Sequence, residues 1–251
     1  MTVQPIIDIR RISPLLHNEA MHLARTEYER LAALLDTLTE DDWVQPTCCS
    51  PWTVRDMVTH LLGYMRACSS AREMVRQMRA ARGRGGVFID AMSAHQVSTM
   101  ADLPVGQLRT EVRSLIKPAV RGRATVPAVL RRMVKVPAEL PVCGARERWP
   151  LGFVVDTIGI RDGWMHRTDI CAAIGREPEL TPEHDGRIVA DVVAEWARRL
   201  GRPVDLRLSG PAGGAYANGA AAISLPYDAV QFCRLLSGRD GTPPLGTEVP
   251  F

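Results

Sequence analysis

The sequence predicts an α+β protein: a helical bundle that takes up most of the chain, followed by a small C-terminal α/β module. Three observations carry this. Apolar residues recur at three- and four-residue spacing through long segments before residue 201, the composition changes at Gly201, and the remainder reads strand, turn, strand, helix. With 251 residues, 46% of them hydrophobic, there is enough apolar material for a packed core. The expected division is a bundle over 1–180 and a module over 181–251.

The first element runs from Ile12 to Leu38, where Leu16, Ala20, Leu23, Ala24, Leu31, Leu34, Leu35 and Leu38 form one apolar stripe. A polar connection, TEDDWVQPTCCSPW, separates it from a second helix. Thr53 with Asp56 three residues later makes a capping-box start for that helix, and Trp52 is placed to staple onto Met57. The periodicity carries helix two to about Arg82, before GRGG at 83–86 breaks it, and weaker helical patterns follow near 88–98, 105–117 and 125–134. Prolines 118, 127, 137, 141 and 150 punctuate the middle of the chain, and Val136 to Arg148 reads as a loop. A third strong helix begins near Pro150 and stops at Gly175; another, EHDGRIVADVVAEWARRL, stops at Gly201. The module then shows the strand VDLRLSG, a glycine- and alanine-rich stretch with the strand AAISL, and a helix PYDAVQFCRLLSG opened by its proline.

Composition excludes several classes. A charged fraction of 24% and a net charge of +3 do not indicate a nucleic-acid binder. Arg72, Arg76, Arg79, Arg82 and Arg84 recur at helical spacing, and Arg121, Arg123, Arg131 and Arg132 follow, but no aromatics interleave them and a solvated face is the simpler reading. Lys117 and Lys135 are the only lysines, an arginine bias that points to high-GC coding and an actinobacterial source. No apolar run reaches the roughly 20 residues that span a bilayer, and MTVQPIIDIRR lacks a signal-peptide core, so a cytoplasmic protein is expected. Cys48, Cys49, Cys68, Cys143, Cys171 and Cys233 show no CxxC spacing and read as small apolar residues in a reducing compartment. The adjacent pair Cys48 and Cys49 is the one candidate for redox or metal chemistry, and it lacks the spaced partners that a zinc thiolate site wants.

Chemistry concentrates in the third strong helix. At roughly 100 degrees per residue, Leu151, Val155, Ile158, Asp162, His166, Asp169 and Ala173 fall within about 40 degrees of one line. Asp162 and His166, one turn apart, aim a carboxylate and an imidazole at the same point. His60, beside the apolar stripe of helix two, can reach across to them. Two histidines and a carboxylate leave a coordination position open, the catalytic type of zinc site, and Asp169 is placed to orient the His166 ring. By spacing alone, the same residues also read as a hydrogen-bonded helix pair and a satisfied core histidine.

Their surroundings resemble a known family. LAALLDTLTEDDWVQPTCCSPWTVRDMVTHLLGYM is similar to the N-terminal signature of the mycothiol-dependent maleylpyruvate isomerases, a branch of the DinB-like metalloenzymes. IRDGWMHRTDICAAIG resembles their second signature, and AVQFCRLLSGRDG the end of their C-terminal domain. The resemblance implies a DinB-like four-helix bundle with the family's C-terminal domain, and a divalent metal, usually zinc, held by His60, Asp162 and His166. It does not identify the residues that hold mycothiol. The family enzyme of known reaction has glutamate at the position of Asp162, so the carboxylate here is set back by one methylene. Pro51 stands where many relatives have glycine.

The resemblance further implies a metal-activated mycothiol thiolate acting on a small-molecule electrophile, with Arg239 in LLSGR as the catalytic arginine for a carboxylate. An isomerase and an S-transferase are both compatible with it. Thr59, Tyr64 and Arg167 flank the ligands as candidates to touch substrate. The rival reading is a metal-binding or metal-free ligand-binding or regulatory protein on the same fold, without thiol transfer. No membrane and no nucleic acid are expected as partners, and the oligomeric state is left open.

Overall fold

The computed structural model describes residues 5–220 and 224–251. The chain forms two compact units. One comprises Leu16–Glu139 and Arg146–Pro178; the other comprises residues 5–15, Leu140–Ala145 and Glu179–Phe251. The fold class is α+β.

Strand β1 (Ile6–Asp8) belongs to the smaller unit. The larger unit begins with α1 (His17–Asp36), α2 (Val54–Ser69), α3 (Ala71–Arg84), α4 (Phe88–Thr99), α5 (Val105–Ala124) and the short α6 (Ala128–Met133). A hairpin of β2 (Lys135–Glu139) and β3 (Arg146–Pro150) follows. Then α7 (Leu151–Phe153), a π-helical stretch (Val154–Ile158) and α8 (Gly159–Ala173) run on in helical conformation. Helices α1 and α2 each pack on both α5 and α8, which makes a four-helix core. Leu31 and Leu35 of α1, Met57, Leu62 and Met65 of α2, Leu108 and Val112 of α5, and Trp164 and Met165 of α8 are buried there. Burying each such side chain contributes about 1.5–3 kcal/mol. Gly122 lets α5 approach α2, since a Cβ at this position would overlap the Cys68 carbonyl.

Helix starts and stops follow local chemistry. Thr53 and Asp56 form the expected capping box: the Asp56 amide reaches Thr53 Oγ1 at 3.3 Å and the Thr53 amide reaches Asp56 Oδ2 at 2.9 Å. Gly175, at φ 66°, closes α8, with the Arg176 amide on the Cys171 carbonyl and the Gly175 amide on that of Ala172.

Four expectations need correction. Helix two does not run to Arg82, because Ser70 adopts an extended conformation and its hydroxyl caps a new helix at the Glu73 amide. Pro118 lies inside α5, which continues to Ala124. The segment read as a loop at 136–148 lies in the hairpin. Val136, Ala138, Glu147 and Trp149 face inward and Lys135, Pro137, Glu139, Arg146 and Arg148 outward, so the period of two is present despite the prolines. Pro226 does not open the last helix: Pro226 and Tyr227 sit in a strand, and Asp228 caps the helix through the Val230 and Gln231 amides.

In the smaller unit α9 (Arg187–Leu200) buries Ile188, Val189, Val192, Val193 and Trp196. The sheet runs β1-β5-β4-β6, with β4 (Asp205–Ser209) antiparallel to β5 (Gly214–Ala217) and parallel to β6 (Ser224–Asp228); β1 lies parallel to β5. The sequence reading found neither β1 nor β5. Residues 221–223 of the expected strand AAISL lie outside the described residues, while Ser224 and Leu225 begin β6. α10 (Ala229–Leu236) brings Phe232 edge-on to Trp196 at 5.2 Å, and both rings are fully buried.

Candidate metal centre

His60 on α2 and Asp162 and His166 on α8 come together. His60 Nε2 stands 3.4 Å from Asp162 Oδ2, and His166 Nε2 stands 3.3 Å from Asp162 Oδ1. One donor atom from each of the three lies within 4.8 Å of the others. Both rings are buried, while the Asp162 side chain keeps 24% of its surface exposed. The i, i+4 spacing on α8 sets two of these side chains on one face, and the packing of α2 on α8 brings the third. The π-helical turn at Val154–Ile158 changes the rotation per residue, so Leu151 and Val155 do not keep the phase with Asp162 that a uniform helix gives them.

The far side of each ring is also held. His60 Nδ1 lies 2.9 Å from Gln96 Oε1, and Gln96 Nε2 donates to Gln77 Oε1 at 2.8 Å. Gln77 Nε2 in turn donates to the Gly63 carbonyl at 3.0 Å. Because Gln96 uses its amide group on Gln77, it presents an oxygen to His60, and His60 Nδ1 is the donor. A Cβ at Gly63 would overlap the Gln96 side chain, so this glycine makes room for the contact. His166 Nδ1 lies 3.2 Å from Asp169 Oδ2, the orientation that the sequence assigns to Asp169. With both Nδ1 atoms engaged, two Nε2 atoms face one carboxylate, and a positive charge must sit among them. Two imidazoles, each oriented by a carboxylate or an amide, and one carboxylate are a donor set that could hold a metal ion.

Electrostatics agree. Burial disfavours charge throughout the cluster, yet His166 and His60 hold the Asp162 carboxyl well below the usual carboxylate range. Burial likewise works against a charged His166, but Asp162, through charge and hydrogen bond, and then Asp169 raise it to about 9. A proton on His166 thus supplies the positive charge that a cation would otherwise bring.

Trp52, expected to staple onto Met57, has its ring 5.2 Å from that of His60 and 6.2 Å from that of His166, and so flanks the centre. All three flanking candidates are committed to the protein itself, Tyr64 through a hydrogen bond with Cys68. Arg167 is buried and binds Glu27 in a two-pronged contact, at 2.6 and 3.3 Å, and Thr59 donates to the Asp56 carbonyl at 2.7 Å. Tyr64 is half-buried beneath the Arg123 guanidinium. Of the basic residues, Arg72, Arg76, Arg79, Arg82 and Arg84 are all exposed along α3, the solvated face that their spacing suggests, with Arg76 paired to Glu73, whereas Arg123 is buried against Tyr28 and the Val155 carbonyl and Arg131 pairs with Asp156. Arg239 belongs to the smaller unit. It follows the left-handed Gly238 after α10, its amide on the Arg234 carbonyl and its residue half-buried. Gln96 is the residue that sequence reasoning missed: a lone glutamine in a weakly patterned helix carries no local signal, and only the approach of α4 to α2 reveals it.

A four-helix core that turns two imidazoles and a carboxylate on one point places the chain among helical-bundle proteins with a site of metal-ligand type. The chain belongs to the mycothiol maleylpyruvate isomerase family: residues 24–171 match the family's model of the mycothiol maleylpyruvate isomerase N-terminal domain. Its fold is similar to that of the crystal structure of the mycothiol-dependent maleylpyruvate isomerase, with a TM-score of 0.53 at 17% identity over 98% of both chains. A histidine-to-alanine mutant of that isomerase gives a TM-score of 0.52 at 16% identity over 98% of both chains. No curated protein is similar enough in sequence to match the chain. Among the described residues, no helix is long and apolar enough to cross a membrane.

Proposed function

We propose that this chain is a cytoplasmic, mycothiol-using isomerase or S-transferase whose divalent metal, of the zinc type, is held by His60, Asp162 and His166. The observation that carries this is the pair of Nε2 atoms turned on one carboxylate while both Nδ1 atoms are engaged elsewhere. A bound zinc-type cation supplies Lewis acidity that brings a coordinated thiol below the roughly 8.5 of a free thiol. Mycothiol would supply the thiol nucleophile for an activated double bond, such as that of maleylpyruvate, and the same site would serve an isomerase or an S-transferase.

The protein's own residues hold this chemistry in place. Gln96 and Asp169 fix the two imidazoles as Nδ1 donors, which keeps each Nε2 lone pair on the Asp162 side. Trp52 lies beside both rings, at 5.2 and 6.2 Å. Asp162 in place of glutamate keeps the ligand type with a shorter reach. The division of labour we propose gives thiol activation to the bundle and recognition of a substrate carboxylate to Arg239 of the smaller unit, whose guanidinium suits two-pronged binding.

The test is metal analysis of the purified chain, followed by mycothiol consumption with maleylpyruvate and a panel of small electrophiles, acids included. The expected result is metal-dependent, mycothiol-dependent turnover of at least one electrophile. Protein that takes up no metal at the histidines and consumes no mycothiol with any of them supports instead a ligand-binding protein on the same fold.

A further inference from the structure

We propose that Cys48, Cys49 and Asp169 form a second site, which binds a thiophilic divalent cation of the zinc or cadmium type. The two sulfurs are adjacent in sequence and lack spaced cysteine partners, but α8 brings a carboxylate to them from far along the chain. Cys48 Sγ lies 3.2 Å from Asp169 Oδ1 and Cys49 Sγ 3.9 Å from Asp169 Oδ2, with the sulfurs 4.0 Å apart. Tetrahedral zinc with sulfur at about 2.3 Å and oxygen at about 2.0–2.2 Å sets two sulfurs about 3.8 Å apart and a sulfur and an oxygen about 3.5 Å apart. The sulfur–sulfur separation lies close to that value, each sulfur faces a different oxygen of the one carboxylate within a few tenths of an ångström of the second value, and a gap of 4.0 Å is far from the roughly 2.05 Å of a disulfide.

The three donors are held before any cation arrives. The Asp169 side chain is wholly buried on α8. The cysteine turn is laced across its base: the Thr47 amide donates to the Trp52 carbonyl at 2.9 Å, the Thr47 hydroxyl to the same carbonyl at 2.8 Å, the Cys49 amide to Thr47 Oγ1 at 3.2 Å, and the Trp52 amide to the Cys49 carbonyl at 2.9 Å. Cys48 is exposed and Cys49 half-exposed, so a cation can enter from solvent; neither is the buried apolar cysteine that composition suggests. Binding exchanges two S–H bonds for two sulfur–metal bonds, adds a metal–oxygen bond from Asp169 and releases two protons, so a dication held by two thiolates and one carboxylate carries a net charge of −1. The site takes no donor atom from His60, Asp162 or His166, but it shares Asp169, whose Oδ2 also lies 3.2 Å from His166 Nδ1, so the two centres meet at this carboxylate.

The experiment is a cadmium titration of the reduced, metal-stripped full chain, reading the ultraviolet thiolate-to-cadmium charge-transfer absorption together with bound cadmium by equilibrium dialysis. The parent should develop the band. The Cys48→Ser/Cys49→Ser protein should lose the band and about one bound cation per chain. A His60→Ala/His166→Ala protein should keep the band, and Asp169→Asn should shift its titration to higher cadmium. Absence of the band from the parent, or a band of equal size in the double serine variant, would overturn the proposal.

Discussion

His166 and Arg167 are neighbours on α8 and meet opposite fates. Arg167 closes on Glu27 at 2.6 Å with both side chains 2% exposed, a completed ion pair between α8 and α1. His166 stands 3.3 Å from a carboxylate that is itself partly exposed and shared with His60. The first arrangement satisfies its charges internally and invites nothing further. The second holds a positive charge at the histidines only through a proton on His166, which a cation could replace. The difference teaches that burial and charge alone do not mark a candidate site; what marks it is donor atoms from two helices converging within 4.8 Å of one another.

The comparison can be broken at the closed pair first. Arg167→Ala or Glu27→Ala should cost about 3–5 kcal/mol of stability, because each leaves its partner's charge buried and uncompensated. Denaturant unfolding measures this, and metal content of the folded fraction should not change. A loss under about 1 kcal/mol would place this pair with exposed surface pairs instead.

Arg239→Ala sharpens the contrast between the two units. Fold and metal content should persist while mycothiol-dependent turnover falls by about 2–4 kcal/mol, the range for removing a charge-stabilising donor. Circular dichroism, metal analysis and kinetics on one preparation separate these, and unchanged turnover would remove Arg239 from the mechanism.

Asp162→Glu probes the reach of the shared carboxylate. If aspartate sits one methylene short, the variant should hold metal about tenfold more tightly, or about 1.4 kcal/mol. Competition against a chelator reads this directly, and weaker binding would mean that the α2 to α8 separation is matched to aspartate.

How far these residues could be read from sequence depends on how local their causes are. The capping box at Thr53, the stops at Gly175 and Gly201 and the juxtaposition of Asp162 with His166 rest on neighbours within a turn or two, and all are legible. His60 was reachable because its helix carries a clear stripe beside it. The break at Ser70 was not: the arginine-rich run beyond it keeps helical spacing, and one serine hydroxyl on the Glu73 amide decides the matter. Strands β1 and β5 are three and four residues long and are strands only because they pair with each other and with β4. The same limit hid Gln96 behind His60, and Asp169 behind the cysteines, whose contacts span 36 and more than 100 residues.

A smaller effect concerns pH. In the metal-free chain His166 stays charged up to about 9 when folded, against 6.5 for the unperturbed ring. Its raised value means that its contribution to stability is complete below 6.5 and is lost as pH rises through 9. Metal needs the ring unprotonated, so cation affinity should rise across the same window. Thermal unfolding of metal-free and metal-loaded protein should show the metal-free chain weakening and the gap between the two widening with pH. A metal-free chain that gains stability there would contradict the charge assigned to His166.

The most direct measurement is metal content with and without His166, made in the Cys48→Ser/Cys49→Ser background so that only the histidine centre is counted. The background protein, dialysed after loading, should retain about one divalent cation per chain. Adding His166→Ala should bring retention to background with the fold intact by circular dichroism. Full retention in the folded His166→Ala protein would show that the cation is held elsewhere and that the two imidazoles and Asp162 serve only to tie α2 to α8.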